Sequence, residues 1–128
     1  MVYADANILI RFILKDNKEM AEKATEAITN GDVFVLNEVF AEVVYVLDKV
    51  YNTERQVISD YLIKLLEYVM TDESNVLKMA FSCFSETKLD FVDCLLAAYH
   101  IVDKKEILTF DKKLNNFIKR NENNSQNN

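Results

Sequence analysis

One glycine and no proline among 128 residues constrain this chain more than any other feature it has. These two residue types supply most tight turns, so a fold of many short strands joined by hairpins is excluded and helices must dominate. Asn, Asp, Ser and Lys are left to make the connections. Half of the residues are hydrophobic and 28% are charged, a balance that builds a core rather than a disordered chain. A chain of 128 residues suits one domain, which at this size buries roughly two thirds of its unfolded surface.

The order of apolar segments then sets the architecture. Val2 to Ala4 reads as a short buried strand stopped by Asp5, and a helix follows from about Asn7 to Leu14. A second helix spans Lys18 to Thr29 and ends at Asn30-Gly31, after which Val33 to Leu36 forms a second strand. Asn37 is placed to cap a helix running to Tyr51, and Thr53 to cap the next, with Val57, Tyr61, Leu62, Leu65, Leu66 and Val69 facing inward. Val76 and Leu77 suggest a short strand before a helix over Ala80 to Thr87. Asp90 caps a helix reaching Lys104, Ile107 to Phe110 is the last strand, and Lys112 to Arg120 the last helix. Short apolar runs alternating with longer amphipathic ones predict a three-layer α/β/α sandwich with a short, mostly parallel central sheet. The domain occupies residues 1–120. Residues 121–128 carry nothing apolar to bury and are expected to be a disordered polar tail.

The formal charge of −6 argues against a broadly basic nucleic-acid face. That argument weakens if several acids share one cation site, because bound divalent ions reverse the local sign. Cys83 and Cys94 form no C-x-x-C pair and are too few for a disulfide scaffold, so buried free thiols in a reducing compartment are expected. No apolar stretch approaches the length of a membrane span and Met1 to Ile10 lacks a basic leader, so the cytoplasm is the expected compartment.

Four acids stand where ordinary packing explains them least. In a parallel sheet, ligands gather beyond the carboxyl ends of the strands, where Asp5 ends the first and Asp111 the last. Each is also a good helix N-cap, so either role fits taken singly. Glu42 borders the apolar stripe of its helix, where a carboxylate needs a partner unless it reaches solvent at the edge. Asp93 is flanked by Phe91, Val92, Cys94 and Leu95, a setting in which a charge calls for a ligand, whereas Asp90 reads as a cap. Convergence of Asp5, Glu42, Asp93 and Asp111 points to a hard cation, Mg²⁺ or Mn²⁺, and to hydrolysis at phosphorus by activated water. Asn7 and Thr109 stand two residues from Asp5 and Asp111 and are candidates to orient water, or are simply polar residues of a helix start and a strand. Arg11, Lys15, Lys112, Lys113, Lys119 and Arg120 are candidate phosphate contacts, or ordinary solvated charges. His100 lies roughly 10 Å along its helix from Asp93 and takes no shared ligand role.

The ordered set Tyr3-Ala4-Asp5-Ala6-Asn7, Glu42, Asp90-Phe91-Val92-Asp93 and Thr109-Phe110-Asp111 resembles a PIN domain, and within that family the VapC-type toxins of prokaryotic toxin–antitoxin pairs. The resemblance runs from Val2 to about Phe117. It departs at Ala6, where Thr or Ser is frequent, and at Lys104-Lys105-Glu106, which lacks a common Gly. It implies an Mg²⁺- or Mn²⁺-dependent endoribonuclease, a homodimer, inhibition by a cognate antitoxin protein, and Asp5, Glu42, Asp93 and Asp111 as catalytic and metal residues. Related readings keep the fold as an RNA-processing nuclease without an antitoxin, or as an inactive binding module. Asp-dependent phosphatases and receiver domains also place acids at strand ends. They need a second acid where Asn7 stands, and no acid ends the second strand here.

Overall fold

The computed structural model describes residues 1–126, with side chains as far as Asn123. Strand β1 (Val2–Tyr3) lies parallel to β2 (Val33–Phe34), with Val2 opposite Val33 and Tyr3 opposite Phe34. Helices α1 (Ala6–Leu14) and α2 (Lys18–Thr29) carry the chain between them, the crossover that parallel neighbours require. A further parallel bridge joins Phe34 to Met70, where Val35 N–H donates to Met70 O and Met70 N–H to Val33 O. The third strand position is therefore Met70 and not Val76-Leu77. Those two residues open the buried stripe Val76, Leu77, Ala80, Phe81, Phe84 of helix α5 (Ser74–Glu86), whose helical spacing overrides their strand-like apolar appearance.

The other elements are α3 (Asn37–Tyr45), a π-helical turn (Val46–Val50), α4 (Arg55–Leu65), α6 (Phe91–Asp103) and α7 (Lys112–Gln126). The chain thus adopts the expected α/β class, mostly helical around a small parallel sheet. Glu54, not Thr53, takes the cap position of α4, and the start of α3 falls at Asn37 itself with Leu36 before it. Tyr61, expected to face inward on α4, is 44% exposed.

Helix α6 is the centre of the core, packed against α5, α7 and α3. Phe81 links the layers, standing edge-on to Phe40 at 5.6 Å between ring centroids and stacked on Phe91 at 5.4 Å. Around them Leu47, Ile58, Leu62, Leu77, Cys94, Ala97 and Leu114 are fully enclosed.

Toward the carboxyl end the structure departs from two sequence expectations, the last strand and the end of the last helix. Ile107 to Phe110 takes no regular secondary structure and pairs with no strand among the described residues, and Leu108 and Phe110 are 97% and 100% exposed. Its polar groups are drawn into the start of α7 instead: Asp111 N–H donates to Thr109 Oγ1 at 3.0 Å and Asn115 Nδ2 to Thr109 O at 2.9 Å. Strand β1 in turn stands at the sheet edge, with Tyr3 61% exposed. Helix α7, expected to end near Arg120, continues to Gln126, into the residues read as a polar tail. Asn121 Nδ2 donates to Phe117 O at 2.9 Å, and Glu122 Oε1 lies 2.8 Å from His100 Nε2, contacts that carry the helix past Arg120. Residues 127–128, the end of that expected tail, lie outside the described residues.

The scarcity of glycine has a conformational cost. Besides Gly31 (φ 81°), Lys15, Asp32, Asn52 and Lys104 take left-handed backbone, with φ of 55°, 67°, 51° and 57°. Lys104 closes α6 this way, its N–H donating to His100 O at 3.0 Å, a place where glycine is normally favoured. Lys104→Gly keeps that bond and removes the Cβ strain. It is expected to stabilise the protein by about 0.5–1 kcal/mol, read from the urea midpoint, after the added freedom of the unfolded chain is offset.

Candidate active site

Helix α6 presents its first acids because of what it buries on the other side. Phe91, Cys94, Ala97 and Ala98 form the enclosed face, Phe91 being anchored on Phe81, and this leaves Asp90 exposed and Asp93 half-buried at the helix start. Asp90 occupies the cap position but its carboxylate makes no cap hydrogen bond. Burial, then the neighbouring charges of Asp111 and Asp90, hold the Asp93 carboxyl above the usual aspartate range. The positive end of α6 favours a carboxylate here, yet the net shift is upward. Asp93, Asp111 and Asp90 therefore form one electrostatic neighbourhood, although Asp93 and Asp111 are 18 positions apart in sequence.

Asp111 stands exposed at the start of α7 and caps it, Oδ1 accepting the Leu114 N–H at 2.9 Å. Asp5 follows β1 and caps α1, Oδ1 accepting the Ile8 N–H at 3.2 Å. The cap role weighed for each is thus real, and it occupies one oxygen of each carboxylate. Glu42 is exposed on α3 beside the enclosed Val43 and Val44. Neither Asp5 nor Glu42 is among the charges that displace the Asp93 carboxyl. Among the described residues no group of three or more His, Cys, Asp or Glu side chains stands close enough to hold an ion. The all-carboxylate donor set suits a hard cation, but as it stands it is not a preformed ion site; the unpaired Ile107–Phe110 segment leaves the ends carrying Asp5 and Asp111 unjoined by a sheet.

The proposed water-orienting residues are engaged locally. Asn7 Oδ1 accepts from Arg11 Nε at 3.2 Å, and Arg11 Nη1 lies 2.7 Å from both oxygens of Asp16, which it holds below the usual carboxylate range. Thr109 serves the α7 cap. His100 is bonded through Nδ1 to Lys105 O and through Nε2 to Glu122, each at 2.8 Å. Cys83 and Cys94 are free and buried between α5 and α6 as expected. Their shared hydrogen bond, with burial, pushes the Cys94 thiol far up, so it stays protonated.

Two further residues shape the site without a local signal in the sequence. Arg55, at the start of α4, lies with its guanidinium carbon 3.5 Å from the centre of the Phe84 ring. Its Nε donates to Phe84 O at 2.7 Å and its Nη2 to Leu89 O, clamping the loop that delivers Asp90. Its partners are 29 and 34 residues away, so only the fold reveals them. Asn37 donates through Nδ2 to the Tyr99 hydroxyl at 3.1 Å, tying α3 to α6, while its buried Oδ1 has no partner among the described residues.

A family model for the PIN domain matches residues 2–119. No individual curated protein and no solved structure matches the chain. PIN domains are generally nucleases, usually acting with divalent metal ions. The match covers both strands, the acids at the starts of α1, α6 and α7, and all but the last turns of α7, so the chain belongs to the PIN domain family.

Proposed function

We propose that the protein is a metal-dependent endoribonuclease that cleaves RNA phosphodiester bonds with activated water, and that it acts as the toxin of a toxin–antitoxin pair. The observation that carries the nuclease reading is the half-buried Asp93 at the start of α6, its carboxyl raised by burial and then by Asp111 and Asp90, in a chain of the PIN family. Asp5, Glu42, Asp93 and Asp111 are the proposed site residues. Mutual repulsion among carboxylates is a cost that a divalent cation relieves, and Mg²⁺ or Mn²⁺ would supply water activation and neutralise charge on the leaving oxygen. The toxin role, the cognate antitoxin and the homodimer rest on the resemblance to VapC-type toxins.

The test is cleavage of RNA by the purified chain with Mn²⁺ or Mg²⁺ against the same reaction in EDTA. Cleavage only with metal is expected. Metal binding gives a second readout: saturating Mn²⁺ at about 100 times its Kd adds about 2.7 kcal/mol to stability, so the melting temperature rises for the wild type and not for Asp93→Asn. The unassembled arrangement of the acids favours one competing reading, an inactive PIN-like binding module. That reading requires no metal-dependent cleavage and no thermal shift.

A further inference from the structure

An open groove of about 740 Å³ runs between the Glu86–Leu89 loop and the outer face of α7. Lys88, Lys113, Lys119 and Arg120 line it, with Glu86 as the single acid. In a chain of net charge −6 this is a local reversal of sign. These four cations are also unclaimed: none has an ion-pair partner among the described residues, whereas Arg11, Lys23 and Lys49 are paired with Asp16, Glu19 and Asp48. Lys113, Phe117 and Arg120 recur at helical spacing along one side of α7, and the Arg120 guanidinium carbon lies 5.9 Å from the centre of the Phe117 ring. The opposite wall is fixed, because Arg55 holds Phe84 O and Leu89 O and the Thr87 hydroxyl donates to Cys83 O at 2.9 Å.

The walls of the groove adjoin the acids along the chain. Leu89 in its wall is followed directly by Asp90, and Lys113 comes two residues after Asp111. Lys113 and Arg120 are about 10 Å apart along the helix axis by its rise, a span of about three nucleotides at the 3.4 Å rise of a stacked strand. We propose that this groove is the track for a single RNA strand, its phosphates held by Lys88, Lys113, Lys119 and Arg120 and its backbone thereby led to Asp93 and Asp111. The ring of Phe117, partly exposed in the wall, offers a face for one base. The proposal rests on the nuclease reading for what happens at the acids, but binding in the groove does not.

The test is fluorescence anisotropy with a labelled 12-nucleotide single-stranded RNA and the full chain, in EDTA so that binding is read without cleavage. Four phosphate contacts give a slope of log K against log salt of about −2.8, each contact on a single strand contributing about −0.7. The Lys88→Gln/Lys113→Gln/Lys119→Gln/Arg120→Gln variant is expected to lose most of that slope and to bind at least tenfold more weakly. Single Lys113→Gln and Lys119→Gln variants each lose about 0.7 of slope, and Lys23→Gln, a cation outside the groove, serves as the control and changes neither value. Wild-type slope and affinity in the folded quadruple variant, or in both single variants should the quadruple one fail to fold, overturn the groove. RNA bound in the groove but left uncut in Mn²⁺ refutes the nuclease reading and leaves the groove standing. Metal-dependent cleavage by a quadruple variant with wild-type affinity does the reverse.

Discussion

Asp93→Asn is expected to reduce RNA cleavage at least about 10²-fold while raising the melting temperature at pH 7. The substitution keeps the shape of the side chain and removes the charge that burial, Asp111 and Asp90 all oppose. The sign of the stability effect follows from the direction of the shift. A carboxyl whose folded-state pKa lies above its unfolded value binds its proton more tightly in the folded protein. Its favourable contribution is complete below the unfolded pKa and is lost as the pH rises through the folded one. At neutral pH the ionised Asp93 is therefore a burden on the fold, and near pH 3 it is not. The melting-temperature gain of Asp93→Asn should be present at pH 7 and vanish on acidification. A variant less stable than wild type at pH 7 would mean that the α6 helix end stabilises this carboxylate more than its neighbours destabilise it.

Arg55→Met should produce the largest stability loss from a residue outside the hydrophobic core. Its guanidinium donates to two backbone carbonyls, Phe84 O and Leu89 O, and covers the Phe84 ring. Methionine keeps the apolar stem but leaves both carbonyls without their charged donor. A loss of about 2–4 kcal/mol is expected in urea unfolding. Arg55→Lys recovers only part of it, because a point ammonium cannot reproduce the planar fork that serves two acceptors. The same clamp positions the Thr87–Asp90 loop, so cleavage should fall with stability while the RNA salt slope, set by cations on α7 as well as Lys88, changes less. A loss under about 0.5 kcal/mol would show the clamp to be an ordinary surface contact.

What the sequence made legible, and what it did not, divides by the range of the interactions. Helix α2 is found at Lys18–Thr29 as expected, because the Asn30-Gly31 signal at its end is local; the structure adds Asn17 as its N-terminal cap. The starts of α1, α6 and α7 at Asp5, Asp90 and Asp111 are equally local. Val76-Leu77 misled because two apolar residues cannot distinguish a strand from the first turn of a helix. Ile107–Phe110 misled because a short apolar run forms a strand only if a sheet edge receives it, and here the hydrogen bonds of Thr109 and Asp111 go to the α7 cap. The end of α7 was missed since its support comes from His100, 22 residues away from Glu122.

The candidate site shows the same division. The types and order of the acids were readable, and so was the apolar setting of Asp93, whose carboxyl burial, Asp111 and Asp90 raise. Convergence of all four was not readable, being a property of sheet pairing that the Ile107–Phe110 segment does not make. Lys113, Lys119 and Arg120 stood among the candidate cations, but Lys88 joins them only through the fold, and Arg11 leaves the set because Asp16 holds it.

The most direct measurement is single-turnover cleavage of one RNA in Mn²⁺ by the wild type and by Asp5→Asn, Glu42→Gln, Asp93→Asn and Asp111→Asn, with folding checked by thermal melts. Cleavage by the wild type that is abolished by EDTA and cut at least about 10²-fold by each of the four substitutions is the predicted result. Wild-type rates in Asp5→Asn and Asp93→Asn, or no metal-dependent cleavage at all, would contradict the assignment of these carboxylates to a nuclease site.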